Sequence, residues 1–147
     1  MTQSINAGST EHKLTWLATI ICIILVLPGL AIGSLFVAVY RFLLYGYVSA
    51  SWIPHLEEVA MQWFPNLLHG AVGGWIAIAI TAKLFKQSNL EIVAYASAAA
   101  WIATMLAISG MGFALGAAFD LTFIALIAQL LGIALGLYTG RESVAQR

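Results

Sequence analysis

The sequence predicts an all-α integral membrane protein: a four-helix transmembrane bundle with one short amphipathic interfacial helix on the outer face. The chain is 62% hydrophobic and only 8% charged, whereas an average soluble domain is about 25% charged. Four uncharged apolar stretches fill most of its 147 residues, and a bilayer core needs roughly 20 apolar residues per helical crossing. A single transmembrane domain is therefore expected over residues 1–147. Its predicted spans are 14–40, 66–83, 90–109 and 120–139.

The first predicted span, 14–40, is longer than a bilayer core. Its 27 residues would extend about 40 Å at roughly 1.5 Å per residue, so tilt, a kink or overhang is required. Pro28 and Gly29 provide a cause for a kink, because proline removes the amide that would bond the Ile24 carbonyl. Small residues near the middle are weakly typical of a signal-peptide cleavage site. The apolar run continues past them, so the segment is expected to remain as a span.

Residues 41–63 are predicted to form the longest connection, and tyrosines and tryptophans in it suit headgroup depth. Ser51 is a possible helix cap, and Pro54 then falls in a first turn. Apolar residues recur on one face of the following segment, which predicts a surface helix at 53–63. That face consists of Leu56, Val59, Ala60 and Trp63.

Turn signals divide the remaining spans. Pro65 opens the second span, and residues 83–89 form a tight polar turn before the third. Residues 110–116 are glycine-rich and are predicted to be a short turn rather than continuous helix. Asp120 is expected to cap the fourth span, and Gly140 is a plausible helix stop.

The distribution of basic residues predicts orientation. With four spans, both termini and the 83–89 turn share one side, which then carries five of the six basic residues: Lys13, Lys83, Lys86, Arg141 and Arg147. The other side has only Arg41. Because lysine and arginine are enriched in cytoplasmic loops, both termini are expected in the cytoplasm, in a multi-pass protein of the plasma or inner membrane.

Glycines spaced four residues apart predict close helix packing. Helices in lipid associate through small residues that let their backbones approach. The predicted packing positions are Gly29, Gly33, Gly70, Gly74, Gly132, Gly136 and Gly140. They could pack the bundle internally or form a seam with an identical or different subunit. Leucine at Gly136 is expected to disrupt the contact, and alanine is expected to be tolerated.

Pro28, Trp75, Trp101 and Gln129 are predicted to lie near one level at mid-depth. Each indole N–H needs an acceptor there. The Gln129 amide, or the Ile24 carbonyl that Pro28 leaves without a helical partner, could supply one. Two interpretations stay open. The layer is either a structural polar clasp or a site for a lipid-soluble ligand such as a quinone.

Unusual titratable groups are predicted at the outer face. His55, Glu58, His69 and Asp120 offer the nitrogen and oxygen ligands that suit several metals, and an ionisable residue inside a span suggests function. Their spacing matches no strong metal motif. The ordinary alternatives are a helix cap at Asp120, solvated glutamates, and a hydrogen bond from His69 to a neighbouring backbone carbonyl.

Composition excludes some functions and leaves three classes. One cysteine, Cys22, cannot form an internal disulfide or a CxxC pair, and basic residues are too few and scattered for nucleic-acid binding. No acidic residue lies in 14–40, where small multidrug exporters carry one. The favoured class is a non-enzymatic accessory or assembly subunit of a membrane complex, in contact with lipid and in a homo- or hetero-oligomer. The alternatives are an oligomeric small transporter, channel or lipid carrier, and a membrane enzyme or redox protein using the outer cluster; no cofactor is identified.

Overall fold

The computed structural model describes residues 3–49, 63–86, 88–114 and 121–145, and within them the chain is helical apart from the turn at 85–89. The described residues form four helices in succession. They are α1 (Gln3–Ser49), α2 (Phe64–Leu84), α3 (Leu90–Ala114) and α4 (Leu121–Ala145). The all-α prediction is confirmed.

Three of the helices are long and apolar enough to cross a membrane, which indicates a membrane protein. Among the described residues, the candidate spans are His12–Leu43, Phe64–Leu84 and Leu90–Ile108. Leucine, isoleucine and phenylalanine side chains are exposed along these helices, while alanine, glycine, serine and threonine fill much of the interior. Exposed apolar surface on this scale is typical of proteins that contact a membrane or other proteins.

Helix α1 is longer than predicted at both ends. It begins at Gln3 and continues through residues 41–49, where a connection was expected, and Pro28 lies inside it. At roughly 1.5 Å per residue it extends about 70 Å. Residues 41–49 contain no proline, so nothing in their backbone chemistry ends the helix after the apolar run. That part of the connection prediction is wrong; the predicted surface helix at 53–63 lies outside the described residues except for Trp63.

The predicted glycine-rich turn after the third span is also wrong in part, because α3 continues through residues 110–114. Glycine costs only about 1 kcal/mol relative to alanine inside a helix, so two glycines do not by themselves end one. For the same reason the helix stop expected at Gly140 is wrong, and α4 continues to Ala145. Pro65 occupies the first turn of α2, where its missing amide hydrogen leaves no helical bond unmade.

Hydrogen bonds connect the described residues of the turn between α2 and α3. The Phe85 amide donates to the Thr81 carbonyl at 2.8 Å, and the Phe85 carbonyl accepts from the Ser88 amide at 3.0 Å. Asn89 then caps α3: its side-chain oxygen accepts the amide hydrogens of Glu91 at 3.1 Å and Ile92 at 3.2 Å. The predicted turn at 83–89 is thus shorter than expected, because Lys83 and Leu84 still belong to α2.

The helices form a ring in the order α1, α2, α4, α3. Gly29 faces Gly73 and Gly33 faces His69, so α1 and α2 run antiparallel. By contrast, α2 and α4 run parallel, and theirs is the most extensive contact in the bundle. Helix α3 packs more lightly against α1 and α4, and it lies diagonally across from α2.

Glycines bring α2 and α4 into backbone-to-backbone contact. A Cβ added at Gly70 would overlap the Gln129 carbonyl, and one added at Gly136 would overlap the Ala71 carbonyl. Gly132 and Gly74 meet the opposite backbone in the same way. All seven glycines predicted from spacing thus lie at contacts between helices of this chain, together with Gly73.

Candidate functional site

His69 faces α1 rather than the outside of the bundle. Its Nε2 lies 2.7 Å from the Leu30 carbonyl oxygen, and Gly33 leaves the space that the ring occupies, because a Cβ there would lie 3.0 Å from His69 Cδ2. Since a carbonyl can only accept, Nε2–H is the donor of this hydrogen bond. The expected hydrogen bond to a backbone carbonyl is confirmed, and it joins α1 to α2.

The remaining members of the predicted metal set, His55, Glu58 and Asp120, lie outside the described residues. Within the described part of the chain, no group of three or more histidine, cysteine, aspartate or glutamate side chains could hold a metal ion. The metal hypothesis therefore stays a prediction that rests on His69 and three residues whose positions are not described.

Trp101 is buried between α1 and α3, and its indole nitrogen donates to the Ile23 carbonyl at 3.3 Å. The sequence suggested the Ile24 carbonyl, which Pro28 frees, as a possible acceptor. The structure shows the Ile23 carbonyl in that role instead. The carbonyl of Ile23 accepts this bond from a neighbouring helix, so the side chain still ties α3 to α1. The predicted polar clasp exists here as one link between two helices.

The other two members of the predicted layer lie elsewhere. Trp75 is 44% exposed on α2, and its backbone amide lies opposite Gly136. Gln129 lies opposite Gly70. It precedes Gly136 by seven residues on α4, which is about 10 Å along the helix at roughly 1.5 Å per residue. The structure does not bring Trp75, Trp101 and Gln129 into one cluster.

The core contains a small polar cluster that sequence reasoning did not single out. Cys22 is fully buried, and its thiol lies against the hydroxyls of Thr81 and Ser97, so three helices contribute one side chain each. The Thr81 hydroxyl donates to the Ala77 carbonyl at 2.8 Å. The buried Ser97 hydroxyl has no nitrogen or oxygen partner among the described residues. Cys22 acts here as a small packing residue, as expected.

A second group of polar side chains joins α1, near Thr15, to the start of α3. The Asn89 amide donates to the Thr15 hydroxyl at 3.3 Å, and the Trp16 indole nitrogen donates to His12 Nε2 at 3.2 Å. With Thr19, these side chains line a cavity of about 250 Å³. Threonines four residues apart on the buried face of α1 were the sequence signal for this contact.

An ion pair closes the same end of the bundle. Arg141 Nη1 of α4 lies 3.4 Å from Glu91 Oε1 of α3, and the two side chains are 19% and 64% exposed. The guanidinium carbon also lies 4.8 Å from the ring centre of Tyr138 and 5.9 Å from that of Tyr95. Arginine therefore joins the helices by stacking as well as by charge.

A groove of about 720 Å³ runs along the second half of α2. Trp75 and Ile80 line its apolar part, Lys83 and Lys86 line its mouth, and Ser143 of α4 lies across from them. The sequence showed both the lysines and the apolar residues, but helix pairing was needed to place them around one opening.

Comparison with protein-family models, curated proteins and solved structures finds no match to this chain.

Proposed function

We propose that this protein is a four-span integral membrane protein that acts as a non-enzymatic accessory or assembly subunit of a membrane complex. The observation that carries the proposal is an exposed row of small residues on α3. Ala99, Ala103 and Ala107 recur four apart on one face of the helix, and all three are exposed. In lipid, such rows allow another helix to approach closely.

The internal contacts support the use of this row by another chain. Every glycine in the described core already contacts a helix of the same chain. Helix α3, in contrast, packs mainly through its first half, where its buried residues Val93, Ala94, Ser97 and Trp101 lie. Residues 102–108 are exposed except for the half-buried Met105. Residues 102–108 of α3 are therefore available to a partner helix.

The location and orientation belong to the same proposal. Thr15 contacts Asn89 and Arg141 contacts Glu91, so α1 near Thr15, the turn before α3 and the last turns of α4 meet at one end of the bundle. Lys13, Lys83 and Lys86 belong to these segments. Because lysine and arginine favour the cytoplasmic side, we propose that this end, with both termini, faces the cytoplasm across the plasma or inner membrane.

The test is the size of the native complex in the protein's own host membrane. The chain carries a small tag, is expressed at its natural level and is extracted in mild detergent, and the extract is separated on a native gel. We expect a complex larger than the monomer, and Ala103→Leu should reduce it to monomer size because leucine holds the facing backbone away. Two differently tagged copies in one cell separate a homo-oligomer from a complex with another subunit.

Ala31→Leu is the matched control. Ala31 is also exposed, but its neighbours four residues away are Leu27 and Leu35, so it belongs to no row of small residues. The control should keep the complex. If Ala103→Leu leaves the complex at full size, or if the wild-type chain migrates only as a monomer, the assembly proposal is wrong.

A further inference from the structure

The groove beside α2 has an apolar interior and a basic mouth. Trp75, Ile76 and Ile80 line the part nearer the middle of the bundle, and Lys83 and Lys86 line the opening. The volume of about 720 Å³ falls in the range of roughly 300–1,000 Å³ that ligand sites occupy. Its occupant must therefore combine an apolar body with a negatively charged end.

The positive charge of the mouth comes from the two lysines. Both are exposed, and neither has an ion-pair partner among the described residues. Glu91 is engaged by Arg141, and none of the described residues that line the groove carries a carboxylate. Helices α2 and α4 both end here, and their last carbonyls carry a partial negative charge. The two lysines are therefore the only source of positive charge among the described residues of the lining.

The dimensions suit a lipid chain in one leaflet. From Trp75 to Lys83 the groove follows α2 for about 12 Å at roughly 1.5 Å per residue, close to half of a hydrocarbon core about 30 Å thick. The lysines would then lie at headgroup depth with their amines at the interface. Ser143 of α4 adds a hydroxyl on the opposite wall of the groove.

We infer that this groove binds an anionic phospholipid, with the phosphate at Lys83 and Lys86 and one acyl chain along Ile80 towards Trp75. Basic openings between membrane helices on the cytoplasmic side favour such headgroups. The inference rests on the membrane location proposed above but not on the existence of a partner subunit.

The experiment measures lipid retention on the full chain by native mass spectrometry. The purified protein is stripped of lipid in mild detergent and titrated with phosphatidylglycerol or phosphatidylcholine. We expect the wild type to prefer phosphatidylglycerol. Lys83→Gln with Lys86→Gln should weaken its binding about 25-fold, or about five-fold per lysine, which corresponds to about 1 kcal/mol each. Lys13→Gln on α1 removes one positive charge at the same end outside the groove and should change little.

A second variant separates the groove from general surface charge. Ala79 lines the groove, and Ala79→Phe fills it while both lysines remain; binding of phosphatidylglycerol should be lost although the charge is unchanged. Soluble glycerol 3-phosphate, which has the charge but no chain, should not compete. Equal binding of the two lipids, full binding by the double lysine variant, or competition by glycerol 3-phosphate would each overturn the inference. So would lipid-independent dimers of the wild type that Ala79→Phe dissociates.

Discussion

Replacing Gly136 with alanine tests the backbone contact between α2 and α4. A Cβ at residue 136 would overlap the Ala71 carbonyl oxygen and would lie 2.8 Å from both the Ala71 carbonyl carbon and the Trp75 amide nitrogen. These are backbone atoms of a helix, so no side-chain rotation can relieve the overlap. The two helices must move apart, and neighbouring contacts along α2 and α4 must loosen with them.

The magnitude follows from two opposing effects. Overpacking a well-packed core costs about 1–3 kcal/mol, and the rigid neighbour puts Gly136→Ala at the upper end of that range. Alanine is favoured over glycine inside a helix by about 0.8–1.0 kcal/mol. We therefore expect a net loss of about 2 kcal/mol, or a roughly 30-fold shift of the folding equilibrium. The overlap with the Ala71 carbonyl therefore predicts a larger effect of alanine at Gly136 than the spacing of the glycines alone suggests, and Gly136→Leu should be more damaging still.

Gly73→Ala is the matched control. A Cβ at residue 73 would meet the Leu30 Cδ2 atom at 2.8 Å, and this is the end of a flexible side chain that can turn away. The nearest backbone atom is the Leu30 nitrogen at 3.1 Å, which requires a much smaller shift than the overlap at Gly136. The same gain in helix propensity applies, so we expect stability within about 1 kcal/mol of the wild type. Unfolding by increasing fractions of a denaturing detergent, followed by far-UV circular dichroism, gives both values. The reasoning is refuted if Gly136→Ala unfolds no earlier than Gly73→Ala.

Three further predictions test the ends and the interior of the bundle. Ala50→Cys should react with an impermeant thiol reagent applied outside the cell and Gln87→Cys should not, while the native cysteine is buried; the opposite labelling pattern contradicts the proposed orientation. Trp101→Phe removes the indole hydrogen bond to α1 and should cost about 0.6–1.7 kcal/mol in the same unfolding assay, and an unchanged midpoint would show that the bond contributes nothing. Glu91→Gln should cost less than about 1 kcal/mol because the pair is partly solvated, and Arg141→Ala should cost more because it also loses the tyrosine contacts; equal losses would contradict a role for the rings.

Part of the candidate site could be predicted because it depends on single residues in known surroundings. A histidine inside an apolar helix must find a polar partner, since an unpaired imidazole costs several kcal/mol there, and His69 finds the Leu30 carbonyl. Which carbonyl it finds depends on how α1 and α2 align. The groove beside α2 could not be predicted from the sequence, because Lys83 on α2 and Ser143 on α4 become neighbours only when those two helices pair.

The sequence by itself determined that the chain is helical, apolar enough for a membrane and close-packed at its glycines. These properties are sums over local residues: hydropathy, the turn at 83–89 and the spacing of glycines need no knowledge of neighbours. Only the tertiary structure decided that α4 pairs in parallel with α2, that α1 continues to Ser49, and that Ala103 remains exposed. A row of glycines determines how closely another helix can approach, but it does not determine which helix does so. That choice depends on the complementary surfaces of all four helices together, and it decides which small residues are used within the chain and which remain for a partner.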